Sequence, residues 1–426
     1  MTKRCKPTPQ IWIAAAMLLG ATVSTTPAAA QPPTEASGHT APAFFGRGPD
    51  PSKWYHVIEA EPGPAGERTR TVYERIARAA GERRDPARLD TIIAYGPGHW
   101  TYEWEQEANA VAASAERNLR TGDPTAARRA YFEAARLYAV GSAPHLRDDT
   151  AAMAALRKAR AAYVRGAKLL PGRFSVLQIP YAGKTFEAYL YLPPGKGPFP
   201  VVVASNGSDV VKEQVGDKLM RELAQRGIGL LAIDMPGIGG GAAYNLDPAS
   251  DVLHVAAIER VRREPGVDAA RIGAMGISFG GHAAAHLFLR SEPDLRLRGI
   301  VDACGPLHSS FMAPPAVYGR LPPLTVDGVR DRVGLPPNAA ATDLAGKARA
   351  FSLKAQFPDV GAARIATPLL ILATDADPVS PLADLPVLTA RAASVQTIIF
   401  QEPGHCPSYG VTATVAAAWL EERLID

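Results

Sequence analysis

RIGAMGISFGGHAAAH, residues 271–286, sets Gly276, Gly280 and Gly281 around Ser278 between an apolar run and a helix-forming run. RIGAMGIS reads as a buried strand and FGGHAAAHLFLR as a helix, so Ser278 falls where one becomes the other. A side chain at Gly276 or Gly280 would collide with a turn that sharp, which is the physical reason for glycine on both sides of the serine. A hydroxyl at such a corner projects from the carboxyl end of a sheet. The G-x-S-x-G spacing in this strand-turn-helix context predicts a nucleophile rather than a serine incidental to a turn.

Working outward, the chain after Pro171 carries the strands that such a corner needs. RFSVLQIPY and KTFEAYLYLPP alternate with a period of two, as an antiparallel pair does. PVVVASNGS, IGLLAIDMPG, RIGAMGIS, LRGIVDACGP, PLLILATDADP and VQTIIFQEPGH then follow as short apolar runs, most of them separated by helical segments. This is the pattern of an α/β fold: a mostly parallel, doubly wound sheet of eight strands with helices on both faces and an antiparallel start. Between Pro306 and Ile365 the pattern lapses into a Pro-rich stretch with scattered helix, and an interruption that long inside a compact domain is usually functional.

A serine hydroxyl is too weakly acidic to attack a carbonyl unaided; it needs a base, and the base needs an orienting carboxylate. The order expected in this architecture is Ser, acid, His. ILATDADPVSP places Asp377 just past one strand, and FQEPGHCPSYG places His405 just past the last. Asp375 is the rival that could cap the turn, and Asp302, after the sixth strand, is a second rival for the acid. His282 and His286 lie on the helix after the serine, where they are expected to pack or face solvent. The negative charge that develops on the substrate oxygen needs donors: the backbone N–H of Phe279, directly after the nucleophile, and that of Ser208 in the loop NGSD, where Gly207 permits close approach. Asp209 in the same loop could cap a following helix. DMPGIGGGA fits G-x-G-x-x-A over residues 237–242, but no helix opens there, so a flexible loop beside the pocket is expected instead of a dinucleotide site. No cofactor and no metal is expected. Cys406 beside His405 is a poor ligand pair, and as a nucleophile it lacks the elbow.

The N-terminus, MTKRCKPTPQIWIAAAMLLGATVSTTPAAAQPP, has a basic start, an apolar stretch from Ile11 to Val23, and Ala28 and Ala30 at cleavage spacing. It reads as a secretory signal over residues 1–30, followed by an irregular leader over 31–53, and places the mature protein in the periplasm or outside the cell. The formal charge of +4 includes Lys3, Arg4 and Lys6 in that acid-free segment; without them 43 basic face 42 acidic residues, and nothing points to nucleic acid. With Cys5 removed, Cys304 and Cys406 remain; an oxidising compartment permits a disulfide between them, but a domain of this size does not need one, and two separate free thiols are the expectation. Residues 54–170 are Ala-, Arg-, Glu- and Leu-rich with helical spacing. Asp123 before Pro124 is a helix start, and a single tetratricopeptide-like pair must pack on something else.

With these residues in hand, the chain resembles the α/β-hydrolase superfamily from about Phe174 onward, and more narrowly the FrsA-type esterase and 2,6-dihydroxypseudooxynicotine hydrolase group. SNGSD, DMPGIG, GISFGG and GHCPSY match in kind and order, with Asn206 where that group commonly has a second glycine. The resemblance implies Ser278, Asp377 and His405 as a catalytic triad, a catalytic domain over 171–426, and a lid made of the 54–170 helices and the 306–365 insertion. The expectation is a serine hydrolase acting on a small-molecule carboxylic ester through an acyl-enzyme; the alternative is a carbon–carbon hydrolase acting on a ketone or β-diketone with the same triad. A homodimer is compatible with this reading, and no membrane partner is expected once the leader is gone. A helical scaffold carrying an inactive hydrolase domain is the reading from another class, and the presence of all three triad residues argues against it.

Overall fold

The computed structural model describes residues 95–425 apart from 291–294, 322, 359–362 and 402–403, together with Arg68, Thr69, Thr71, Val72 and Arg75. The expected signal and leader, and most of residues 54–94, lie outside the described residues.

Ahead of the sheet lie α1 Trp100–Arg120, α2 Pro124–Gly141 and α3 Thr150–Ala167. The Asp123 carboxylate accepts from Ala126 N at 2.8 Å with Pro124 at the first helical position, and Asp149 accepts from Ala152 N at 2.9 Å, so both later helices start on a side-chain cap. The helices do not close on themselves. Tyr163 of α3 stacks on Tyr189 of the second strand with centroids 5.1 Å apart, which buries the helical face against the sheet.

The sheet contains β1 Arg173–Tyr181, β2 Lys184–Leu192, β3 Phe199–Ser205, β4 Gly229–Ile233, β5 Val267–Ile277, β6 Ile300–Ala303, β7 Leu369–Thr374 and β8 Val395–Phe400. They lie in the order β1-β2-β4-β3-β5-β6-β7-β8. β1, β2 and β4 pair antiparallel, and every pairing from β4 through β8 is parallel. Alternate residues explain why the strands read as continuous apolar runs. Val201 and Val203 face α5 Val252–Val261 and α6 Phe279–Arg290, whereas Val202 and Ala204 face α4 Lys218–Ala224 and the N-terminal helices, so both faces are covered. From β3 the chain crosses to β4 on one side and then to β5 on the other. The carboxyl ends of β3 and β5 therefore flank the switch point where open α/β sheets place their sites.

The Pro-rich insertion is more helical than its sequence suggests, with α7 Pro323–Arg332 and α8 Ala341–Arg349. It is joined to the N-terminal helices. Arg332 donates to Pro144 O at 3.0 Å, and Arg147 pairs with Asp331 at 3.2 Å. A last helix, α9 Tyr409–Leu424, packs back on the sheet through Ala413, Ala416 and Leu420.

Candidate active site

β5 ends at Ile277 and α6 begins at Phe279, leaving Ser278 alone at the corner with φ of 56°. That left-handed conformation is uncommon for a residue with a Cβ and is held by its surroundings. Ser278 N donates to Ala303 O at 2.9 Å, and Ser278 O accepts from His282 N at 3.0 Å. A Cβ on Gly276 would run into the Gly280 carbonyl; one on Gly280 would meet Asn206 O at 2.5 Å and Ser205 Oγ at 2.6 Å. Two glycines are needed because the bend closes on itself and the end of β3 passes directly over it.

Ser278 Oγ lies 2.8 Å from His405 Nε2, and His405 Nδ1 lies 2.8 Å from Asp377 Oδ2 and 3.0 Å from Oδ1. Asp377, just beyond β7, also accepts from Val379 N at 2.7 Å, Ser380 N at 2.8 Å and Cys406 N at 3.2 Å. Burial pushes its carboxyl up, but the hydrogen bond and charge of His405 and the Ser380 and Val379 N–H groups outweigh it and hold the group below the usual aspartate value. An ionised Asp377 can only accept, so it fixes the proton of His405 on Nδ1 and leaves the Nε2 lone pair facing Ser278.

The rivals fall elsewhere. Asp375 has an exposed side chain. Asp302 is buried with its Oδ1 accepting from Gly305 N at 2.8 Å, and burial raises it to about 8, so it stands neutral at pH 7. His282 sits between Ser250 Oγ and Phe351 O, each at 2.8 Å, and His286 lies 3.0 Å from Asp251 and 3.1 Å from Gln356; both pack and neither faces solvent.

A Cβ on Gly207 would stand 3.2 Å from Ser278 Cβ and 3.3 Å from Oγ, so the loop after β3 crosses immediately beside Ser278. This brings the segment carrying Ser208 to the same corner as Phe279. Asp209, which could have capped a following helix, does not stand at a helix N-cap. A 3-10 turn at Lys212–Val215 and Gly216 with φ of 66° intervene before α4, because Lys212 is pulled inward. Its N and Nζ donate to Asp234 Oδ1 and Oδ2 at 2.7 and 2.8 Å, with Glu213 at 3.0 Å and the Tyr189 ring at 4.4 Å. Burial would lower the Lys212 ammonium, but Asp234 and the neighbouring glutamates more than offset it and raise it above its usual value. Asp234 also accepts from Gly240 N at 2.7 Å, so the glycine-rich stretch expected to be flexible is clamped by the same carboxylate.

Cys304 and Cys406, expected as two free thiols, form a disulfide with Cα atoms 5.2 Å apart. The parallel order β6-β7-β8 carries the end of β6 to the loop that bears His405. Donor atoms of Cys304, His405 and Cys406 lie within 4.8 Å of one another, but both sulfurs are already spent on each other. Sequence reasoning also missed the aromatic shell. Phe311 and Phe351 of the insertion pack on the Phe279 ring at 5.9 and 5.4 Å, so the insertion rests on the residue directly after Ser278. Two phenylalanines bracketing that insertion were the available signal.

Residues 61–425 match the family model described as "Esterase FrsA-like". Esterase FrsA of Vibrio cholerae serotype O1 is 32% identical over 355 residues, covering 83% of this chain and 83% of its own. Esterase FrsA of Klebsiella pneumoniae subsp. pneumoniae is 32% identical over 325 residues, 76% of each chain. Among solved structures, 2,6-dihydroxy-pseudo-oxynicotine hydrolase superposes with a TM-score of 0.64 at 20% identity, over 76% of this chain and 89% of that one. AbyA5 superposes with a TM-score of 0.61 at 23% identity, over 80% and 95%. These two share the fold. The chain belongs to the FrsA-like esterase family and is a hydrolase with the α/β-hydrolase fold.

Proposed function

We propose that this hydrolase is an exported serine enzyme that cleaves a small carboxylic ester through an acyl-enzyme on Ser278. The observation that carries the reading is the hydrogen-bonded chain Ser278 Oγ to His405 Nε2 and His405 Nδ1 to Asp377 Oδ2, 2.8 Å at each step. In this reading Ser278 Oγ attacks the ester carbonyl while Nε2 takes its proton. Asp377 steadies the imidazolium, and the N–H groups of Phe279 and Ser208 receive the oxyanion. His405 then protonates the leaving alkoxide. A water, activated by the same nitrogen, releases the acid and restores Ser278. The chemistry needs no cofactor.

Export is supported by the basic, apolar and small-residue order of the N-terminus and by the disulfide, since such bonds persist in oxidising compartments. A lid formed by the helical region and the 306–365 insertion is supported by the Arg332–Pro144 and Arg147–Asp331 contacts that join them. The test is incubation with p-nitrophenyl acetate beside a β-diketone, together with a fluorophosphonate probe. Ester turnover and a probe adduct mapped to Ser278 are expected. Faster cleavage of the diketone would favour carbon–carbon hydrolysis instead, and the absence of an adduct would remove the serine mechanism.

A further inference from the structure

We propose that the Cys304–Cys406 bond positions the base of this site and makes hydrolysis depend on redox state: reduction by a dithiol slows turnover while the fold persists. The inference rests on the serine-hydrolase reading above.

Cys406 directly follows His405. The backbone there bends through left-handed conformations on either side of the imidazole, Gly404 with φ of 102° and Cys406 with φ of 69°. A residue with a Cβ stays in that region only when something holds it. Two hydrogen bonds help: Thr374 Oγ1 donates to Gly404 O at 2.8 Å, and Cys406 N donates to Asp377 Oδ2 at the longer distance of 3.2 Å. The covalent tie is the disulfide.

Its other end is built into the seat of the acid. Cys304 follows β6 with φ of 53°, its N donates to Leu372 O at 2.7 Å, and its carbonyl accepts from Ser380 Oγ. Ser380 N in turn donates to Asp377 Oδ1 at 2.8 Å. One connected unit therefore fixes the loop of the base to the loop of the acid, across 102 residues of sequence. Cys304 is buried and Cys406 is partly exposed, so a small thiol reaches the bond from the Cys406 side.

The exchange balances. A dithiol thiolate attacks Cys406 Sγ, the S–S bond breaks, and Cys304 leaves as a thiolate that takes up a proton. The second thiol then displaces Cys406 as a thiol, and the reductant departs as its own cyclic disulfide. Two electrons and two protons pass to the protein. The loop bearing His405 then keeps its hydrogen bonds but loses its covalent tie to Cys304, and a displacement of about 1 Å at a reacting group costs on the order of a hundredfold in rate.

The experiment follows p-nitrophenyl acetate hydrolysis, fluorophosphonate labelling and thermal unfolding before and after dithiothreitol. Expected are a gain of two titratable thiols, a kcat lowered by about tenfold or more with KM within about twofold, labelling slowed in parallel, and a retained melting transition. Oxidised glutathione should restore the rate. The double variant Cys304→Ala/Cys406→Ala should turn over at the reduced enzyme's rate and ignore the reductant. Reduced enzyme or double variant within about twofold of the oxidised kcat would overturn the proposal. So would a melting transition lost together with activity, which would make the bond a plain structural staple. Failure to gain thiols would deny the bond itself. Absence of turnover and labelling already in the oxidised enzyme would instead overturn the serine-hydrolase reading, and this inference with it.

Discussion

Asp377 and Asp302 are the same side chain placed at the ends of adjacent strands, yet the protein drives them in opposite directions. Asp377 receives three N–H groups and an imidazole and stays ionised; Asp302 receives the single N–H of Gly305 in a dry setting and holds its proton. An acid that steadies an imidazolium has to be the first kind. Asp377→Asn should therefore lower kcat by about four orders of magnitude, because an amide permits the wrong His405 tautomer. Asp302→Asn, which keeps the acceptor for Gly305, should leave ester turnover within a few fold. Ser278→Ala and His405→Ala should each leave less than about a thousandth of wild-type turnover with an unchanged melting temperature. Steady-state kinetics of the four variants beside their unfolding curves measure all of this, and an active Asp377→Asn would remove the assignment of the acid.

The elements that carry these residues depend on a few close approaches. Gly276→Ala would put a methyl into the Gly280 carbonyl of the elbow, where backbone faces backbone and cannot yield. The expected cost is about 3 kcal/mol or more, read from denaturant unfolding. The loop after β3 is pinned differently, by an ammonium rather than by shape. Lys212→Met should cost about 3–5 kcal/mol, since it strands Asp234 and Glu213 as buried carboxylates without their cation. The elbow was legible in the sequence because its constraint is local: two glycines and a serine within five residues state it. So was the placing of Asp377 and His405 in loops just past apolar strands, which the structure brings together beside Ser278. The Lys212 clamp and the Cys304–Cys406 bond were not. Each joins residues that only the strand order β6-β7-β8, or the turn of β3 beside β4, brings together. The helices α7 and α8 were hidden for another reason, as short segments among prolines and glycines give periodicity too few turns to register.

At the scale of the whole molecule, buried titratable groups set where the fold is most stable. Burial lowers His145, His254 and His282 to about 4, so between about pH 4 and 6.5 the unfolded chain binds three protons that the native state refuses. Stability is fully present above the unfolded histidine value and is lost as pH falls. Asp302 acts with the opposite sign. Burial raises it to about 8, so from about pH 4 to 8 the native state holds a proton that the unfolded chain has released, and stability drains as pH rises. Glu213, also pushed up by burial, works in the same direction as Asp302. Below pH 6.5 three protons oppose at most two, leaving a rise of at least about 1.4 kcal/mol per pH unit; above it the histidines fall silent and Asp302, with Glu213 acting in the same direction, takes back at least about the same amount per unit up to pH 8. Stability should therefore peak near pH 6.5, measured as the free energy of urea unfolding from pH 4.5 to 9. Asp302→Asn should flatten the alkaline side and leave the acid side rising more steeply. A wild-type curve with no maximum between pH 6 and 7, or an alkaline slope unchanged by Asp302→Asn, would mean that His145, His254, His282 and Asp302 are not buried as described.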